Sequence, residues 1–162
     1  VTNPRGRKVY LFRKLKERKM LLIDDDEWIR DSLSLFFEDE GCHLASAETA
    51  KEGLEELKRQ PYDIVIVDYR LPDMDGLEFL KQVRVSHPDA LTILVTAYGS
   101  KEVFLKARKI GVQGFIDKPF TLKAIKDTLS DLLEKHNDSG DATLETEANS
   151  TLRREFGQDM GS

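Results

Sequence analysis

Five side chains able to do chemistry together are scattered along this chain: Asp24, Asp25, Asp68, Thr96 and Lys118. Each lies at or just beyond the end of an apolar run, so one sheet could bring them to one edge. Crowded together, three carboxylates would raise one another's pKa values and resist full ionisation. A hard divalent cation resolves that conflict, and an all-oxygen site with room for water and phosphate suits Mg2+. A hydroxyl and an amine beside the acids match an incoming phosphoryl group better than a purely structural ion. Singly, none of these residues means much. Aspartates at strand ends often cap helices, which is how Asp26 is read, and Asp75-Gly76 reads as turn chemistry.

The elements that must position these groups follow from the apolar pattern. Ile64–Val67 is β-branched throughout and lacks polar alternation, as in a strand buried on both faces, and it runs directly into Asp68. Pro72 and Asp75-Gly76 turn the chain out of the sheet after it. From Met20 onward, short strands alternate with helical periods. Met20–Ile23 is a strand ending in Asp24-Asp25-Asp26, followed by a helix over 27–40 with Ile29, Leu33, Phe36 and Phe37 inward and Gly41 as its stop. His43–Ala47 is short and alternating, nearer a sheet edge. A helix over 49–59 stops before Pro61, and another over 76–86 stops before Pro88. Leu91–Thr96 is a strand. Ser100 caps a helix closed by Gly111, Val112–Ile116 is a fifth strand, and Thr121 caps a last helix with Leu122, Ile125, Leu129 and Leu132 inward. Five strand–helix pairs with short connections predict an α/β fold, a parallel sheet covered on both faces. Ligands then sit beyond the carboxyl ends of the strands.

Composition bounds the rest. At 162 residues, 40% apolar and 34% charged, the chain fits one globular domain with extensions. No apolar run approaches the ~18 residues of a membrane span, and no signal peptide opens the chain. The single cysteine, Cys42, cannot pair within the chain; it reads as a small core or strand-edge residue and fits a cytoplasmic location. The net charge of −5 is uneven: residues 1–19 carry eight Lys/Arg against one Glu, whereas residues 136–162 carry two Arg against six acids. The expected organisation is a basic N-terminal extension (1–19), a domain (20–135) and an acidic, flexible tail (136–162). Val9, Phe12 and Leu15, spaced by three, suggest a short amphipathic helix in the extension for a membrane surface or nucleic acid. Met20 is also read as a natural start, which leaves 1–19 a weakly functional lead-in.

From Met20 to about Lys135 the chain resembles the receiver domain of two-component response regulators. The resemblance is carried by Leu22-Ile-Asp-Asp-Asp-Glu, Val65-Ile-Val-Asp-Tyr-Arg-Leu-Pro-Asp-Met-Asp-Gly, Val95-Thr-Ala and Asp117-Lys-Pro-Phe. It implies a (βα)5 flavodoxin-like, doubly wound parallel sheet with strand order 2-1-3-4-5, an order for which the flavodoxin-like family is a standard case. It implies that Asp68 accepts a phosphoryl group and that Asp24, Asp25, Asp68 and the backbone carbonyl of Arg70 hold Mg2+. Lys118, Thr96 and the Ala97 N–H would take phosphoryl oxygens, with the Lys118–Pro119 peptide cis. Thr96 and Phe115 would form the switch, acting on the face of the fourth helix, fifth strand and fifth helix counted from Met20 (α4-β5-α5 in the family's numbering). Arg70 and Tyr98, two residues beyond Asp68 and Thr96, would flank the path of attacking water and slow hydrolysis; two solvated surface residues are the alternative.

The implied partner is a sensor histidine kinase or phosphotransfer protein, because none of His43, His87 and His136 follows a strand into the acidic cluster. A homodimer through the α4-β5-α5 face fits the family, and no direct nucleic-acid binding is evident. The domain would be a phosphoacceptor that acts only on its own phosphorylation state, not a turnover enzyme. Three other readings stand beside it. An aspartyl-nucleophile phosphatase or phosphomutase usually needs a second acid two residues after the nucleophile, where this chain has Arg70. A binder driven by the basic head would be indifferent to phosphorylation. A constitutive module on the same fold would not need the full acid, hydroxyl and lysine set. No DNA-binding, ATPase or cyclase segment is read after residue 135, so a stand-alone receiver and a piece of a longer regulator both fit.

Overall fold

A computed structural model describes residues 4–97 and 99–136. Five strands, β1 (Lys19–Ile23), β2 (His43–Ala47), β3 (Ile64–Asp68), β4 (Leu91–Thr96) and β5 (Gly114–Asp117), form one sheet in the order β2-β1-β3-β4-β5. Every pairing is parallel. Among the described residues six helices join or flank them: α1 (Pro4–Lys16), α2 (Glu27–Asp39), α3 (Ala50–Arg59), α4 (Gly76–Ser86), α5 (Lys101–Lys109) and α6, residues 122–136.

Period-two alternation along the strands divides the core into two layers. Met20, Leu22, Ile64, Ile66, Ile93, Val95 and Ile116 face the layer covered by α1, α2 and α6. Leu21, Ile23, Val65, Val67 and Leu94 face the layer covered by α3, α4 and α5. The central strand β3 is buried along its whole length, whereas β2 at the edge is mostly exposed or half-buried, as its mixed sequence predicts. Each fully buried large side chain, such as Phe37 or Phe79, contributes roughly 1.5–3 kcal/mol relative to exposure.

Local chemistry sets the element ends. Asp26, Thr49, Asp75 and Ser100 cap α2, α3, α4 and α5, each accepting a backbone N–H from the first turn. Thr121 does the same for α6, through the Ala124 N–H at 3.1 Å. Gly111 closes α5 with φ of 92°, a left-handed conformation that favours glycine. The Val112 N–H is then used by the Ala107 carbonyl at 3.0 Å, so β5 begins at Gly114, two residues later than the apolar run suggests.

The amino-terminal segment departs from expectation. Residues 4–16 are helical, but the buried face is Leu11, Phe12 and Leu15, and Val9 is 59% exposed. At ~100° per residue Val9 lies roughly 120° around the helix from Leu15, which takes it off the apolar face. Phe12 meets Phe36 at 6.0 Å between ring centroids, and the Cys42 Sγ approaches the Phe12 carbonyl at 3.9 Å. Phe12 and Leu15 are therefore interior side chains of the same core as β1 and α2, and they are not offered to a membrane or nucleic acid. Cys42 is buried and unpaired in that cluster. No helix among the described residues is long and apolar enough to cross a membrane. The acidic tail and Tyr98 lie outside the described residues, except that His136 ends α6.

Candidate functional site

The carboxyl ends of β1, β3, β4 and β5 converge as the parallel order requires. Asp24 follows β1 and is 1% exposed; Asp68 ends β3 and is 7% exposed. Asp25 is exposed beside them, and ligand oxygens of Asp24, Asp25 and Asp68 all lie within 4.8 Å of one another. Lys118, just past β5, extends its Nζ between the two buried acids and donates to Asp24 Oδ2 and Asp68 Oδ2 at 3.0 Å each. The Lys118–Pro119 peptide is cis. Thus four residues separated by up to 94 positions form one charged pocket.

The remaining predicted residues fall around it. Thr96 is buried at the end of β4, where its carbonyl accepts the Lys118 N–H at 2.9 Å. Ala97 follows, exposed, and lines a groove with Lys118. Arg70 N–H points at Asp68 Oδ1 at 3.4 Å, and Arg70 bridges to Asp75 across the β3–α4 loop. Phe115 is half-buried in the α3/α4/α5 layer, paired in register with Leu94 and packed on Phe104 of α5 at 4.5 Å between centroids. Strand alternation puts Thr96 on the same sheet face as Leu94, so Thr96 and Phe115 share a layer.

The geometry depends on one glycine. A Cβ on Gly76 would collide with the Asp68 carbonyl oxygen and meet Tyr69 Cα at 2.9 Å. Only glycine lets α4 start this close to the strand end, and its N–H donates to the Tyr69 carbonyl at 2.6 Å.

Electrostatics in the pocket are finely opposed. Burial pushes the Asp24 carboxyl above its ordinary value; the Asp26 N–H and the Lys118 ammonium pull it back, and Asp68 adds to the rise. Burial alone would lower the Lys118 amine, but its hydrogen bonds to Asp68 and Asp24 outweigh this and hold it above its ordinary value. A lysine pinned between two buried acids meets the requirement that buried charges be paired. The donor set is oxygen only, and one acid opens to solvent, which fits a hard cation such as Mg2+ that retains water ligands.

Two contributors escaped the sequence reading. Arg30, one turn into α2, donates from Nη1 to the Asp24 carbonyl at 2.8 Å, while the Asp26 N–H donates to Asp24 Oδ1 at 2.9 Å. Together they fix the Asp24 backbone and side chain. Trp28, 78% exposed, stands at the mouth of a groove of about 560 Å³ also lined by Ile29, Leu33, Lys118, Pro119 and Phe120. Both follow Asp26 on α2, but only the fold brings Arg30 back to the Asp24 carbonyl and the segment after β5, Lys118 to Phe120, into the same groove as Trp28.

Comparison with known proteins agrees with this architecture. Residues 20–130 match the response regulator receiver domain family. Response regulator protein PilR of Pseudomonas aeruginosa is 32% identical over 123 residues, which cover 76% of this chain and 28% of PilR. The chain therefore spans little more than a quarter of that relative. Among solved structures, a CheY-like receiver domain protein from Methanospirillum hungatei superposes with a TM-score of 0.64 at 32% identity, covering 80% of this chain and 98% of that one. The beryllofluoride-activated NtrC4 receiver domain dimer gives 0.67 at 32% identity, covering 72% and 97%. By the family match, the sheet order and the convergence at the strand ends, this chain belongs to the receiver domains of two-component response regulators.

Proposed function

We propose that this domain takes a phosphoryl group from a phosphohistidine of a sensor histidine kinase or phosphotransfer protein onto Asp68. The single observation that carries the proposal is the Lys118 ammonium 3.0 Å from both Asp24 and Asp68, beside a third acid. An Asp68 oxygen forms the new O–P bond as the P–N bond to the donor imidazole breaks and the imidazole leaves. Lys118 pairs with the phosphoryl oxygens, and the Thr96 hydroxyl and Ala97 N–H donate to others. Asp24, Asp25, Asp68 and the Arg70 carbonyl would hold Mg2+, which when bound neutralises the acids and the charge developing on the phosphoryl oxygens.

The product adds roughly −1.5 to −2 charges at one point. Thr96 is drawn toward the new oxygens, and Phe115, which has no hydroxyl, responds by moving into the space released. The output surface is the face of α5, β5 and α6, where Phe104 and Leu105 are exposed. A second copy docking there is the proposed dimer, in line with the dimeric state named for the NtrC4 receiver. The groove beside Trp28 is the proposed approach for the donor histidine. Arg70 and Tyr98 are proposed to slow water attack on the phosphoryl-aspartate. The domain acts only on its own phosphorylation state, in the cytoplasm, with residues 20–135 as its catalytic unit.

Labelling by acetyl phosphate with Mg2+ tests the proposal: the chain gains one phosphoryl group, and Asp68→Asn gains none. Undiminished labelling of Asp68→Asn removes the assignment. Lys118→Ala keeps Mg2+ binding better than it keeps the phosphorylation-dependent change at Phe115; equal loss of both contradicts the roles given.

A further inference from the structure

The helices α2, α4, α5 and α6 have their first backbone N–H groups met by a side chain immediately before the helix, but α3 is finished by a residue from another loop. Thr49 Oγ1 accepts the Glu52 N–H at 3.1 Å, while the two preceding donors, Ala50 N–H and Lys51 N–H, go to Asp73 Oδ1 at 3.0 Å and Asp73 Oδ2 at 2.9 Å. Asp73 lies 22 and 23 residues away, at the tip of the loop that leaves Asp68 and starts α4. The base of that loop is closed by the Arg70–Asp75 bridge and by Gly76 packed on the Asp68 carbonyl. A carboxylate using both oxygens on two N–H groups at a helix N-terminus is a charge-assisted pair favoured by the helix dipole. The loop is thus fastened at base and tip.

We propose that Asp73 is a positioning residue for the phosphoacceptor site: by tying the β3–α4 loop to α3, it holds the Arg70 backbone in place to complete the metal site. The inference rests on the receiver reading above. Residues that orient ligands from outside the coordination shell typically affect metal affinity 10–100-fold. Because Asp73 acts on the Arg70 backbone carbonyl through two intervening residues, Leu71 and Pro72, the effect expected is at the low end of that range.

The test is Mg2+ titration of the full chain by calorimetry, with amide hydrogen exchange of the metal-free chain as a second readout. Asp73→Ala is expected to weaken Mg2+ binding about tenfold and to speed exchange of the amides of residues 50, 51, 69–71 and 73–75. Asp73→Asn, which keeps one carbonyl acceptor, weakens binding by less, and it carries the test if Asp73→Ala does not fold. Thr49→Ala removes a cap from the same helix without touching the loop; it lowers thermal stability but leaves Mg2+ affinity as in the wild type. Wild-type affinity in Asp73→Ala, or equal weakening in Thr49→Ala, overturns the positioning role and leaves the receiver reading intact. A wild-type chain that binds no Mg2+ takes both down.

Discussion

The two ends of this sheet differ in what they do with burial. At the carboxyl end the strands deliver Asp24, Asp68 and Lys118 into a pocket where two of the three are nearly inaccessible to water. At the amino end α1 lays Leu11, Phe12 and Leu15 over the turn of α2 into β2, and the contacts are apolar and aromatic. One end concentrates charge at a cost in stability; the other stabilises without chemistry. The contrast teaches that the buried acids are tolerated because Lys118 pairs them, while the apolar layer that α1 helps close offsets the remaining cost.

The largest expected effect breaks the amino end. Phe12→Ala should cost about 3–5 kcal/mol in denaturant unfolding, since it opens a cavity in a closed cluster. Phosphorylation per folded molecule should stay unchanged. A loss below ~1 kcal/mol would mean that α1 is not part of the working core.

At the carboxyl end, Lys118→Ala leaves two buried acids unpaired and should cost about 3 kcal/mol without metal. Saturating Mg2+ should restore much of that loss, because the cation meets the same carboxylates. A deficit indifferent to Mg2+ would separate the lysine from the metal site. Asp24→Asn sharpens the comparison in the opposite direction. Burial makes the charged form of Asp24 unfavourable, so neutralising it should raise the melting temperature of the metal-free chain. The same change should weaken Mg2+ binding by at least about tenfold. A lowered melting temperature would show that the Lys118 pair outweighs the burial penalty.

The smallest effect lies outside both ends, on α3. Glu56 is held at about 2 by hydrogen bonds from Arg59, Tyr62 and Gln60. Its folded pKa is depressed below the ordinary 4.5, so it stabilises above that pH, and the contribution fades as pH falls from about 4.5 toward 2. Glu56→Gln should flatten the stability profile in that window. Tyr62, pushed up to about 12 by burial and by Glu56, contributes below pH 10 and loses that contribution as pH rises toward 12. A Glu56→Gln profile parallel to the wild type would show that the Arg59, Tyr62 and Gln60 hydrogen bonds together leave Glu56 unshifted in solution.

The same contrast explains what could be read from the sequence. The strands and the residues at their carboxyl ends were legible, because β-branched runs, caps such as Ser100 and stops such as Gly111 each act locally; the strand order followed only from the family resemblance. Asp24, Asp68 and Lys118 were legible together because a parallel sheet maps strand ends onto one edge. The burial of Leu11 and Phe12 was not, since a helix dense in Lys and Arg gives no sign of which stripe meets Phe36. The start of β5 was hidden by the closure of α5, which uses Val112. Asp73 and Arg30 act only through neighbours that the tertiary fold supplies, so no local pattern marks them.

The central claim is that Asp68 carries a transferable phosphate. Borohydride reduction of the acetyl phosphate-treated chain, followed by peptide mass mapping, tests it most directly, because an aspartyl phosphate is reduced to homoserine at the residue that bore it. The account predicts homoserine at position 68, dependent on Mg2+ and absent without phosphodonor. Homoserine at another aspartate, or none anywhere under conditions that label the chain, would contradict it.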